Sequence, residues 1–193
     1  MAVLFPLLAV LIWAANTVVS KAAAGVFDPA AISFYRWLVA AVVRDTVPRA
    51  LELGVDLGVE GDHEVPEELQ LTGNPTLLQE MVRNLVDNAI NYSGRGGVVT
   101  ARVLLDRFSG VQILQVEDNG PGIPENERDL VLQPFYRALG TNVDGSGLGL
   151  AIVHEIAQQH GASVYMDDAH PDQPNRGLLV SVRFAPTKQP PQE

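Results

Sequence analysis

The chain has 193 residues, 47% of them hydrophobic, no cysteine and a net charge of −10. That length holds one ordinary domain with an appendage. The missing cysteine excludes disulfides and thiolate metal sites, and the acidic balance argues against nucleic acid as a partner, which needs basic surface. The average conceals a split. Residues 1–43 carry only Lys21, Asp28 and Arg36, a net +1, so the remainder carries −11.

The first stretch, residues 2–19, is free of charge. At 1.5 Å of rise per residue, about 18 to 20 helical residues cross a hydrocarbon core of roughly 30 Å. Lys21 stands where it can snorkel to the interface. Asp28 can cap a helix whose first position is Pro29. The second run, residues 30–43, is short for a full span and contains Arg36. The start lacks a basic n-region and a clear cleavage site, unlike a signal peptide. Membrane insertion is expected, with a buried helical hairpin as the alternative. Leu11-Ile12-Trp13-Ala14-Ala15-Asn16, Lys21, Pro29 and Phe34-Tyr35-Arg36-Trp37 resemble the first one and a half helices of the drug/metabolite transporter superfamily, EamA type. Such transporters need many more helices, so transport by this segment is not expected. The domain division expected is 1–43 apolar helical segment, 44–186 body and 187–193 disordered tail.

In the body, residues 55–60 alternate like a half-buried strand. Asn74-Pro75 is a strong helix start, and the helix should reach Tyr92. Leu78, Met81, Val82, Leu85 and Ala89 form its apolar stripe. Asn84, Asn88 and Asn91 fall at i, i+4 and i+7 and share another face, with Asp87 beside them. Residues 98–105 and 111–117 read as strands joined by a turn. Residues 148–160 read as a helix closed by Gly161. Residues 163–166 and 178–184 supply two more strands. This order predicts an α+β fold, a mixed sheet covered on one face by helices.

Three clusters carry chemistry. An Asn carbonyl is a neutral oxygen ligand, and magnesium takes few protein oxygens beside waters and phosphates. Asn88 suits that role without adding negative charge. Asp118, ending a strand before Asn119-Gly120, can accept a hydrogen bond from an exocyclic amine such as that of adenine. Gly120 and Gly122 let backbone approach a planar ring. Gly145, Gly147 and Gly149 precede a helix, whose free amides suit phosphates. Singly, each cluster also reads as a solvated helix face, a turn or a tight connection. Together, in this order, they point to a nucleotide pocket with a lid.

The residues resemble the catalytic and ATP-binding domain of sensor histidine kinases, within the GHKL ATPase superfamily, over about residues 44–186. Residues 84–93, Asn-Leu-Val-Asp-Asn-Ala-Ile-Asn-Tyr-Ser, match its asparagine box. Asp118-Asn119-Gly120-Pro121-Gly122-Ile123 matches the first glycine box, Pro134-Phe135-Tyr136-Arg137 the phenylalanine box, and residues 145–153, from Gly145-Ser146-Gly147-Leu148-Gly149 onward, the second glycine box. The resemblance implies a two-layer α/β sandwich of the Bergerat type, with ATP under a flexible lid at about 125–146. It implies that Asn88 holds Mg²⁺, Asn84 supports the phosphate side, Tyr92 stacks near adenine and Asp118 binds its amino group. Arg137, Thr141 and Gly145, Ser146, Gly147, Leu148 and Gly149 would approach the phosphates. Asn91, Gly120, Gly122, Ile123 and Phe135 complete the implied cofactor-binding set.

Two departures stand out. The family often has Lys or Arg where this chain has Asn91, which removes a cation from the phosphate side. Histidine kinases also phosphorylate a histidine on a dimerising hairpin with a His-Glu-x-x-x-Pro-like box, and nothing of that kind precedes Arg44. His63-Glu64-Val65-Pro66 is a superficial echo with its proline too early. His154 and His160 read as helix-face and C-terminal capping residues, and His170 as a solvated loop residue. The expectation is therefore an ATP- and Mg²⁺-binding catalytic domain of a two-component sensor histidine kinase, without its own phosphoacceptor and unable to autophosphorylate alone. Its partners would be ATP, a phosphoacceptor hairpin or response regulator in trans, and the bacterial inner membrane, with the ATP-binding domain on the cytoplasmic side. Another GHKL ATPase or serine kinase, or an inactive membrane-anchored fusion of transporter and kinase, are the alternatives.

Overall fold

Period-2 alternation of apolar and polar residues lays out the sheet. The computed structural model describes residues 35–61, 71, 73–137 and 146–186. Its strands are β1 (Asp56–Gly61), β2 (Val98–Leu105), β3 (Gln112–Asp118), β4 (Ala162–Asp167) and β5 (Leu178–Phe184), in the spatial order β1-β2-β3-β5-β4. β1 and β2 are parallel, and every other neighbouring pair is antiparallel. A parallel pair needs a crossover, which here contains the central helix. The mixed sheet expected from the sequence is the one observed.

Register aligns the buried face. Ala101, Val116 and Val180 form one cross-strand row, and Val103, Leu114 and Val182 the next. All six are buried in the core. The other face is polar. There Gln115 Nε2 donates to Ser181 Oγ at 3.1 Å, and Arg102 pairs with Glu60 at 2.6 Å and with Glu117. One apolar and one polar face is the pattern of a sheet covered on a single side.

Among the described residues three α-helices supply the cover: α1 (Tyr35–Leu53), α2 (Pro75–Ser93) and α3 (Gly149–Gln159). The Asn74 side chain caps α2, accepting from the Thr76 and Leu77 amides at 3.0 and 3.3 Å. Leu78, Met81, Val82, Leu85, Val86, Ala89 and Ile90 are its buried stripe. His160 caps α3. Its Nε2 accepts from the Asn74 amide at 3.0 Å, so its proton sits on Nδ1, which donates to the Ile156 carbonyl at 2.7 Å. One imidazole thus joins the end of α3 to the start of α2. His154 meets Gln158 one turn on, a helix-face contact as expected. His170 lies in the β4–β5 loop as expected, partly exposed, with its Nε2 3.6 Å from a Glu117 carboxylate oxygen.

α1 crosses the point where composition changes. The helix is continuous from Tyr35 to Leu53, through Val43 and Arg44. Val39, Val42, Val43, Thr46 and Ala50 are buried at helical spacing, with Arg44 and Asp45 on the outer side. The Thr46 hydroxyl is satisfied by the carbonyls of Val42 and Val43, at 3.1 and 2.9 Å. Pro48 lies on the exposed side, where the carbonyl it cannot bond can be hydrated. Among the described residues, no helix is long and apolar enough to cross a membrane. The charge-free stretch, the segment from His63 to Pro66 and residues 187–193 lie outside the described residues.

Candidate functional site

A cleft of about 230 Å³ opens between α2, the start of α3 and the ends of β3 and β5. Helical spacing brings Asn84, Asn88 and Asn91 to one wall, with Asp87 and Tyr92. Val116, Leu178 and Val180 supply an apolar floor from the sheet. Gly122, Ile123, Arg137, Ser146, Gly147 and Gly149 complete the rim together with Asp118.

Asp118 follows from the strand period. It continues the buried alternation of Leu114 and Val116, so its carboxylate points to the core side at the sheet's end. It is only 5% exposed. Burial pushes its pKa up to about 6, while the amides of Gly120 and Leu178 pull the other way. The Gly120 amide donates to Oδ1 at 2.9 Å. A second oxygen beside an apolar floor suits a flat ligand that presents an N–H.

Glycine is required where backbones meet. Gly122 and Gly177 both have positive φ, 76° and 63°. A Cβ on Gly177 would sit 2.1 Å from the Asp118 carbonyl oxygen, and one on Gly122 would sit 2.7 Å from the Gly177 oxygen. The two loops interlock beneath Asp118. A Cβ on Gly149 would lie 2.8 Å from Asn88 Nδ2 and 3.0 Å from its Oδ1. The Asn88 amide therefore rests directly on the first turn of α3.

The described ends of the segment expected to form a lid, 125–137 and 146, are anchored. The Phe135 amide donates to the Gly147 carbonyl at 3.0 Å, tying the phenylalanine box to the second glycine box. Arg128 donates to the carbonyls of Ile123 and Met166, at 3.2 and 3.0 Å, and pairs with Asp168, which also holds Arg176 at 3.0 Å. This guanidinium clamps the start of the lid to the β4–β5 hairpin.

The structure brings together Asn84, Asn88, Asn91, Tyr92, Asp118, Gly122, Ile123, Arg137, Ser146, Gly147 and Gly149. Three other candidates lie elsewhere. Gly120 packs behind the wall, where a Cβ would meet the Tyr92 carbonyl oxygen at 2.6 Å. Phe135 is 75% exposed with a positive φ of 67° and does not line the cleft. Leu148 precedes α3 and contributes its carbonyl to the Ile152 amide. Thr141 and Gly145 lie outside the described residues. Asn84 donates both amide hydrogens to Glu80, at 2.8 and 3.0 Å, so its oxygen is what remains for a ligand. That suits a cation or water better than a phosphate. Sequence reasoning missed Leu178 and Val180 in the floor, Tyr136 in the rim and Gly177 beneath it. For Gly177 the available signal was a glycine placed just before a strand.

Residues 73–188 match the family described as histidine kinase-, DNA gyrase B-, and HSP90-like ATPase. The chain is 43% identical over 101 residues to the sensor protein QseC of Escherichia coli (strain K12), an alignment covering 52% of this chain and 21% of QseC. It thus spans about a fifth of that relative's length. The solved mycobacterial sensor histidine kinase MprB superposes with a TM-score of 0.67 at 29% identity, over 79% of this chain and 95% of that one. Full-length ShkA, solved in complex with AMPPNP, superposes with a TM-score of 0.64 at 24% identity, over 78% of this chain and 30% of that one, a likeness of fold alone. The sandwich expected from the motifs is the fold these kinase domains share. With its match across more than half its length, the chain belongs to the histidine kinase-, DNA gyrase B- and HSP90-like ATPase family.

Proposed function

We propose that this cleft binds ATP with Mg²⁺ and serves as the catalytic nucleotide site of a two-component sensor histidine kinase. The observation carrying the proposal is that Asn88, Asp118 and Gly147, from three separate motifs, line one cleft. Membership of an ATPase family, matched over residues 73–188, supports a nucleotide here. Asp118 accepts from the exocyclic amine of adenine, Tyr92 flanks the ring, and the apolar floor excludes water from its face. Arg137, with Thr141 and the second glycine box, receives the phosphates.

The residues fit a magnesium ion shared with a nucleotide. Asn88 offers a neutral amide oxygen beside the glycine box, and Asn84 has its oxygen to spare. Among the described residues no three His, Asp or Glu converge, so the remaining ligands would be phosphates and water. When bound, the ion neutralises charge on the phosphate chain. The protein's share is orientation, which alone lowers the barrier to phosphoryl transfer substantially. The acceptor proposed is a histidine hairpin or response regulator. The transporter-like leader is proposed as a membrane anchor that leaves the ATP site on the cytoplasmic side. The burial of Val39, Val42 and Val43 supports assigning α1 to the ATP-binding unit and the anchor to residues before it.

The test is a titration of the full chain with ATP and GTP, with and without magnesium. Asn88→Ala is expected to abolish the magnesium dependence of affinity. Asp118→Ala should cost about 10- to 100-fold for ATP, the value of a hydrogen bond to a charged group, and erase the preference over GTP. Wild-type affinity in both variants would refute the proposal.

A further inference from the structure

We infer that Arg49, which lies outside every motif named above, is a positioning residue for the phosphate chain and acts through Asn91; the inference rests on the nucleotide reading. Arg49 comes from α1, 42 residues before its partner. Its Nη2 donates to Asn91 Oδ1 at 2.9 Å, and its Nε stands 4.0 Å from Asp87 Oδ1. Asn91 and Asp87 both line the cleft. The Arg49 side chain does not itself line the cleft; it is 53% exposed and stands behind Asn91 and Asp87, so it reaches a ligand only through them.

Two physical consequences follow. A guanidinium can only donate, so the amide of Asn91 must give it the oxygen. What Asn91 has left for a ligand is its NH₂ group. An unpinned amide could turn either end to the cleft, and its oxygen would repel a phosphate. Arg49 selects the donor end. The same cation offsets the Asp87 carboxylate, whose negative charge at the wall would otherwise oppose a polyphosphate. Arg137 lines the same cleft, and Arg49 adds a second positive charge one residue behind the asparagine wall. A half-exposed guanidinium whose hydrogen bond orients a cleft-lining amide is better explained by ligand recognition than by stability. Exposed pairs of this kind contribute little to folding.

The experiment compares ATP with adenosine by calorimetry on the full chain. Arg49→Gln is expected to weaken ATP about tenfold and leave adenosine unchanged, since only the phosphates feel the lost charge and the freed amide. Raising the salt should narrow the ATP difference between wild type and variant. Arg49→Lys should recover part of the loss, and adding Asn91→Lys to Arg49→Gln should restore ATP affinity by placing a cation on α2 itself. An Arg49→Gln variant whose ATP-to-adenosine ratio equals that of the wild type, whatever its melting temperature, overturns the inference. That result would leave the nucleotide reading standing if Asn88→Ala and Asp118→Ala behave as stated. A wild-type chain that binds neither ligand sinks both.

Discussion

Asp118 shows how one residue can be both a core position and a binding group. Its carboxylate is held at the sheet's end with a pKa of about 6, because burial penalises the charged form. The folded chain therefore holds this proton more tightly than the unfolded one. Between roughly pH 4 and 6 the native state binds more protons, so this group's contribution to stability falls as pH rises through that window. A ligand N–H reverses the preference, because it binds the carboxylate and not the acid. Affinity for adenosine should then be about tenfold weaker at pH 5 than on the plateau above pH 7, one unit below the pKa leaving about a tenth of the group ionised. Calorimetry at the two pH values checks this, with Asp118→Asn expected to show no such slope. Adenosine is the right probe because it carries no phosphate that titrates nearby.

At the scale of elements, caps and clamps set the walls of the cleft. α2 carries the asparagine face, and its start is held twice, by its own Asn74 side chain and by His160 at the end of α3. Asn74→Ala removes the side-chain cap but keeps the backbone amide that bonds His160. The expected cost is about 1 kcal/mol in a denaturant melt, with nucleotide affinity nearly unchanged. A loss above about 3 kcal/mol would mean that the cap also orders the contact between the two helices. Arg128 works similarly at the lid's foot, where Ile123, Met166 and Asp168 converge on one guanidinium.

At the scale of the molecule, we propose that the folding unit begins with α1. Val39, Val42 and Val43 are in the same buried cluster as the stripe of α2 and the inner face of the sheet. Each buried valine contributes about 1.5 to 3 kcal/mol of apolar burial. A chain starting at residue 35 should melt like its parent. A chain starting at residue 44 should lose on the order of 5 kcal/mol or fail to fold. Equal melting temperatures for the two truncations would place the boundary at residue 43 after all. Arg49 gives the same helix a second link to the cleft, through Asn91.

Local chemistry made much of this legible from residues alone. The strand periods of Val98–Leu105 and Leu178–Phe184, the Asn74-Pro75 helix start and the three glycine and asparagine clusters are all written in neighbours a few positions apart. Periodicity and capping depend on the backbone's own geometry, so they survive without knowledge of the partner surface. Tertiary structure alone decided the rest. That α1 runs past residue 43, that Arg49 meets Asn91, that Gly177 sits under Asp118 and that His160 reaches Asn74 are meetings between residues more than 40 positions apart or packings of one element on another. No local pattern encodes such encounters, because they exist only once the sheet and helices have closed on a common core.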